Sequence, residues 1–158
     1  MNHALAIFAA GVIAATATPA YASWQWTEWG MTVEAVAEAS GGTASPNADR
    51  GRDSDDLVAS LTAPYSASNI DFTADFLFRD GGLAFVILTP DDEDCSALAG
   101  ALTRAYGQSD DQRSTNFSSK RWWDHANGNF VMYISIEVLG SCSAQYSGLT
   151  DGGAPGGL

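Results

Sequence analysis

Ile70, Phe72, Ala74, Phe76 and Phe78 are apolar, while Asp71, Thr73 and Asp75 between them are polar. No other run constrains the fold as strongly. Side chains along a strand point alternately to its two faces, so this run commits one face of a sheet to a core. Asp80-Gly81 follows and turns the chain into a second strand over Leu83–Leu88, because Asp-Gly accepts the positive φ angles of a tight hairpin. A hairpin with one apolar face needs a covering layer, and two helical stretches supply it. The first spans Thr32–Ala39. Thr32 caps it, Met31 and Val36 sit at the positions of a hydrophobic staple, and Gly41-Gly42 stops it. The second starts with Thr89 as cap and Pro90 at the first helical position. Asp91-Asp92-Glu93-Asp94 then load the positive end of its dipole, and Gly107 ends it. Its apolar stripe is Cys95, Leu98, Leu102 and Ala105.

Further strand signals lie at Trp24-Gln25-Trp26, at Leu57, Ala59 and Leu61, and at Ser143–Ser147. A second hairpin pairs Lys120–His125 with Asn129–Val138 through Ala126-Asn127-Gly128, with Phe130, Met132, Ile134, Ile136 and Val138 on one side. Gly41–Asp56 and Gln108–Ser118 carry no apolar period and read as surface loops, the first of them mobile. The expected fold is α+β: an antiparallel sheet of five to seven strands with two helices packed on one face.

Before all of this, Ala4–Ala15 is uninterruptedly apolar, Pro19 breaks it, and Ala20-Tyr21-Ala22 forms a small-x-small cleavage site. Twelve helical residues reach roughly 18 Å, short of the ~30 Å hydrocarbon layer, so residues 1–22 read as a signal peptide and no stable membrane insertion is expected. The chain is then organised as a single α+β domain over 23–147 and a disordered, Gly/Pro-rich tail over 148–158. Cleavage near Ala22/Ser23 would deliver the domain to the periplasm or the medium. In that oxidising setting Cys95 and Cys142 are expected to pair. Their phases agree, since Cys95 lies on the helical stripe and Cys142 alternates with Ala144 and Tyr146 on the last strand. A formal net charge of −12 argues against nucleic acid, whose phosphates need Lys and Arg to displace counterions, and disfavours anionic lipid.

The run Trp29-Gly30-Met31-Thr32-x-x-x-Val36 resembles an opening found in outer-membrane assembly lipoproteins of the SmpA/OmlA kind and in secreted β-lactamase inhibitor proteins. There a Gly-Met-Thr turn starts a helix that packs on an antiparallel sheet. The lipoprotein Cys of the first group is missing here, and the aromatic hairpin at Trp122-Trp123 belongs to neither pattern. The resemblance implies a binding or assembly role in an exported protein and no catalysis.

The residues carry three candidate chemistries. Trp122 and Trp123 are adjacent on a strand, so only one can face the core; the other is a candidate binding anchor. Asp71, Asp75 and Asp124 could furnish a carboxylate pair for a small hydrolase-like enzyme. Asp49-Arg50-Gly51-Arg52-Asp53-Ser54-Asp55-Asp56 collects four carboxylates but lacks the spacing, mid-loop Gly and terminal Glu of an EF-hand, so no metal site is assigned. His125 stands beside Asp124 on a strand, where neighbours point to opposite faces, and reads as a hairpin residue. No cofactor is called for. The reading that follows is a non-catalytic domain binding an unknown protein or small ligand in the envelope; the alternatives are the carboxylate enzyme and a structural envelope component.

Overall fold

The computed structural model of the protein describes residues 23–92 and 94–149; the expected signal peptide and all but the first two residues of the expected tail lie outside them. The described chain is α+β. A two-stranded ribbon, β1 (Ser23–Trp24) and β2 (Thr27–Glu28), precedes helix α1 (Val33–Ala39) and the short strand β3 (Ser45–Pro46). Three long strands follow, β4 (Val58–Ala67), β5 (Ile70–Arg79) and β6 (Gly82–Pro90), then helix α2 (Cys95–Tyr106). The chain closes with β7 (Asp110–Arg113), β8 (Phe117–Asp124), β9 (Asn129–Ile136), a 3-10 turn at Glu137–Leu139, and β10 (Ser141–Gly148). Eight strands form one antiparallel sheet in the order β3-β4-β5-β6-β10-β9-β8-β7.

Local chemistry explains the long strands. Asp80 and Gly81 have φ of 51° and 81°, the turn that matches strand twist in a two-residue hairpin. Ser68 and Asn69 repeat it at 55° and 62° between β4 and β5. The apolar side of β5 continues in register through Val86 and Leu88 of β6 to Ala144 and Tyr146 of β10, then Val131 and Tyr133 of β9, and ends at Trp122 of β8. Val36 of α1 and Leu98 and Leu102 of α2 join this same buried cluster, α1 lying against β4 and β6 and α2 against β9 and β10. A disulfide joins Cys95 to Cys142, Cα atoms 5.6 Å apart, and ties the start of α2 to the start of β10.

Five expectations are corrected. The sheet has eight strands against the expected five to seven, because both segments read as loops contribute an edge: Ser45–Pro46 and Asp110–Arg113. Both are short, and one is charged, the other ends in Pro, features that blunt a sheet edge. The strand expected at Trp24-Gln25-Trp26 stops at Trp24, and Gln25 and Trp26 form the turn of the small ribbon, Gln25 having φ of 52°. Thr89 and Pro90 are not a helix start; they complete β6 opposite Thr73 and Phe72. Asp94 is the cap, its carboxylate accepting the Ala97 N–H at 2.9 Å. Phe130, Met132, Ile134 and Ile136 share a face as expected, the one opposite the helices by their register with Trp123, Arg121, Ser119 and Phe117, but Val138 does not join them and falls in the 3-10 turn. Finally, Gly148 belongs to β10 and the Leu149 N–H donates to Gly128 O at 2.8 Å, so order runs past residue 147.

The segment 47–57 is a strap over the face opposite the helices. Asp75 is buried there among Ala59 and Leu77, and a buried carboxylate demands partners. Arg52 Nε reaches it at 2.8 Å, Asn47 Nδ2 at 2.9 Å, and Arg52 Nη2 bonds Thr89 Oγ1 at 2.6 Å. Asp53 accepts the Ala59 N–H at 2.8 Å.

Candidate functional site

The tryptophan pair divides as strand geometry requires. Trp122 points to the helices and is 3% exposed. Its Nε1–H donates to Gly107 O at 3.0 Å, and its ring lies against Tyr106, centroids 6.1 Å apart. Gly107, with φ of 79°, ends α2 in a backbone form that leaves this carbonyl free for the indole. Trp123 points the other way, is 38% exposed and meets Phe130 edge-on at 5.5 Å. Only Trp123 is therefore available as an anchor; Trp122 is a core residue that forms the wall behind it.

Two recesses open beside this pair, at the end of the sheet where α2 finishes and the β8–β9 hairpin turns. The larger, about 480 Å³, lies among Tyr106, Asp110, Arg121, Trp123, Asp124 and His125, with Trp122 behind. The smaller, about 360 Å³, lies among Trp24, Gln25, Tyr65, Tyr106, Asp124 and Tyr146, with Asn127 and Asn129 at its edge. Both fall within the roughly 300–1,000 Å³ of small-molecule sites. Tyr106 and Asp124 line both and stand between them.

Asp124 ends β8 on the helix-facing side, opposite Asn129. Its Oδ1 accepts the Asn127 N–H at 3.2 Å and its Oδ2 the Asn127 side-chain amide at 2.7 Å, which closes the hairpin turn. A carboxylate offers about four acceptor positions, so two remain for a ligand. Asn129 is buried and spends its amide on scaffolding: Oδ1 accepts from Trp29 Nε1 at 2.9 Å and Nδ2 donates to Ser23 O at 2.8 Å. The ribbon is thus pinned against the rim of the smaller recess, where Gln25 Nε2 donates to the Tyr65 hydroxyl at 2.9 Å. Burial pushes the Tyr65, Tyr106 and Tyr146 phenols above their ordinary range, Tyr146 furthest. The Asp124 charge adds to the rise at Tyr106 and Tyr146. All three enter neutral pH as protonated hydroxyls, able to donate and accept.

On the Arg121 side, Nη2 pairs with Asp110 Oδ2 at 2.7 Å, while the buried Nε has no partner. His125 is exposed beside the turn. The other candidate carboxylates are elsewhere. Asp71 and Asp75 are four residues apart on one strand, about 13 Å, on the face opposite Asp124. Asp75 is occupied by Arg52 and Asn47, and Asp71 by the Ser66 hydroxyl. No two of the three form a pair. The acidic loop 49–56 is the strap. Among the described residues no group of three or more His, Cys, Asp or Glu is placed to hold a metal ion, and no helix is long and apolar enough to cross a membrane.

Sequence reasoning found the tryptophans and named Asp124, though for catalysis. It missed Gln25, Tyr65, Tyr106 and Tyr146. These lie far apart in the chain, and no spacing signal could have joined them before the sheet order was known. Comparison with protein-family models, with curated proteins and with solved structures returned no match.

Proposed function

We propose that the protein is a non-catalytic, exported binding domain of the cell envelope. It holds a small ligand, or a projecting group of a partner, in the paired recesses around Tyr106 and Asp124, with Trp123 at the rim. One observation carries the reading: two recesses of ligand size share a hydrogen-bonding wall, and Trp123, the exposed indole, lines the larger of them. Preformed concavity with a few convergent polar groups is the usual form of a binding site. Acid–base hydrolysis has less support, because a catalytic carboxylate pair stands within about 10 Å, and Asp71, Asp75 and Asp124 have no such partner among themselves. Export is supported by the apolar opening with its Ala20-Tyr21-Ala22 site and by the Cys95–Cys142 disulfide, since oxidising compartments preserve such bonds. The Gly30-Met31-Thr32 helix start, similar to that of envelope binding and assembly proteins, points the same way.

Native mass spectrometry of the protein purified from its own envelope tests this. The expected result is a reproducible mass excess on a chain beginning at Ser23, lost in Trp123→Ala and Tyr106→Ala variants that remain folded. An excess that survives both substitutions places the ligand elsewhere and refutes the reading.

A further inference from the structure

The smaller recess has Ser23 on its rim, the residue that signal cleavage would make the first of the mature chain. We infer that the recess is the seat of that new terminus, the Ser23 α-ammonium pairing with the Asp124 carboxylate and locking the ribbon to the β8–β9 hairpin. This rests on the export reading proposed above. Hydrolysis of the Ala22–Ser23 bond by a signal peptidase leaves a carboxylate on Ala22 and gives the Ser23 nitrogen both protons of the water. A neutral amide thereby becomes a cation at neutral pH.

The fold brings the two charges together. Asn129 lies directly opposite Asp124 across the hairpin, and its Nδ2 holds Ser23 O at 2.8 Å. The N–H and C=O of a strand residue leave by the same edge. Ser23 therefore turns its nitrogen, like its oxygen, out of the β1–β2 ribbon and toward the hairpin. Opposite residues of an antiparallel pair stand about 4.5–5.5 Å apart, so the Asp124 carboxylate lies one side chain beyond the amide that grips Ser23. Asp124 is the one formal charge among the described residues that line this recess. Its field reaches Tyr106 and Tyr146 there, and these phenols and Tyr65 are neutral at physiological pH. Glu28, across the ribbon from Ser23, is exposed. On the side of the larger recess Arg121 is spent on Asp110, and His125 is exposed. Asn127 gives Asp124 amide donors only, so cleavage supplies the charge that matches it. The ammonium takes one of the two acceptor positions that Asn127 leaves on Asp124. It fills little of the about 360 Å³, and the recess stays open to a ligand.

The test is the proton affinity of the terminus in the mature protein purified from its own envelope. Lys120 is the only lysine in the chain, so reductive ¹³C-methylation labels two amines, whose resonances are followed against pH. The Ser23 amine is expected to titrate about one unit above the ordinary ~7.7–8.0 of a chain terminus, a proton held roughly tenfold tighter. Asp124→Asn, whose amide oxygen can still accept the Asn127 N–H, should return it to that range. So should a chain that keeps Tyr21-Ala22 before Ser23 and carries its amine about 7 Å farther along. Because Asp124 also holds the hairpin turn, urea midpoints provide a second measurement. Asp124→Asn should lower the midpoint more in the free-terminus protein than in the Nα-acetylated one, whereas a purely structural Asp124 would lower both equally. In a chain that begins at Ser23, an amine in the ordinary range, or a raised one that Asp124→Asn does not lower, overturns the inference while the export reading stands. A purified chain that begins at another residue overturns the cleavage position and the inference together.

Discussion

Truncating the two adjacent tryptophans to Ala should have opposite consequences. Trp122 is 3% exposed, lies tilted against Tyr106 and donates to Gly107 O. A buried indole removes about 150–250 Å² from water, worth roughly 4–6 kcal/mol at ~25 cal/mol per Å². The lost hydrogen bond adds about 1 kcal/mol, and partial collapse of the cavity and a compact unfolded state subtract from the sum. Trp122→Ala should therefore cost about 3–5 kcal/mol, the range of such core truncations. Trp123, 38% exposed with one edge-on contact to Phe130, should cost about 1–2 kcal/mol. Urea unfolding followed by far-UV circular dichroism reads the difference. With a slope of about 2 kcal/mol per M, the midpoint should fall by roughly 2 M for Trp122→Ala and by less than ~1 M for Trp123→Ala. Ligand binding should fall in the reverse order between Trp123→Ala and the conservative Trp122→Phe. Equal midpoints for the two Ala variants, or a larger loss for Trp123→Ala, would refute the assignment of one indole to the core and one to the rim.

Replacing Cys95 and Cys142 together by Ser opens a loop whose ends are 47 residues apart and should destabilise the domain by about 4 kcal/mol; an unchanged unfolding midpoint would contradict a bond present in the native state. Asp75→Ala leaves Arg52 and Asn47 without their acceptor and should cost about 2 kcal/mol while exposing 47–57 to limited proteolysis; a strap that stays protected would show that other contacts hold it. Asp94 is held below the usual carboxylate range by the Ala97 N–H and the Ser96 hydroxyl. Its contribution is thus present above the ordinary carboxylate pKa and is lost as pH falls through the lower folded value. Asp94→Ala should accordingly lower stability at pH 7 and flatten the decline below about pH 4. Tyr65, Tyr106 and Tyr146 are raised by burial, so the folded state keeps protons that the unfolded state releases above about pH 10, and stability falls there. Absorbance at 295 nm should show these phenols ionising only as the chain unfolds; titration of all tyrosines before unfolding would contradict their burial.

What the sequence disclosed followed from local rules. The alternation at Ile70–Phe78, the Asp80-Gly81 turn, the Thr32 cap and the inward phases of Cys95 and Cys142 each depend on near neighbours, and each is found in the fold. Period two also split Trp122 from Trp123, although it could not say which faced inward. Side was the harder question. Phe130, Met132 and Ile134 are as apolar as a core face, yet they lie opposite the helices, because Val131 and Tyr133 register with the buried side of β10. The strap was illegible for another reason: Arg52 and Asn47 look like solvated loop residues until Asp75, 23 and 28 positions away, is seen buried beneath them. The same distance effect hid the tyrosines. Tyr65, Tyr106 and Tyr146 converge only because β10 inserts between β6 and β9 while α2 ends beside the hairpin of Asp124.

The most direct measurement for the account is an amide-shift map of the ¹⁵N-labelled mature protein against a small-molecule extract of its own envelope. Binding at the paired recesses predicts saturable shifts confined to Trp24–Gln25, Ala105–Gly107, Arg121–Asn129 and Tyr146, with the components of the extract recovered unaltered. Shifts centred on the strap face around Asp75, or conversion of an extract component on incubation, would contradict it.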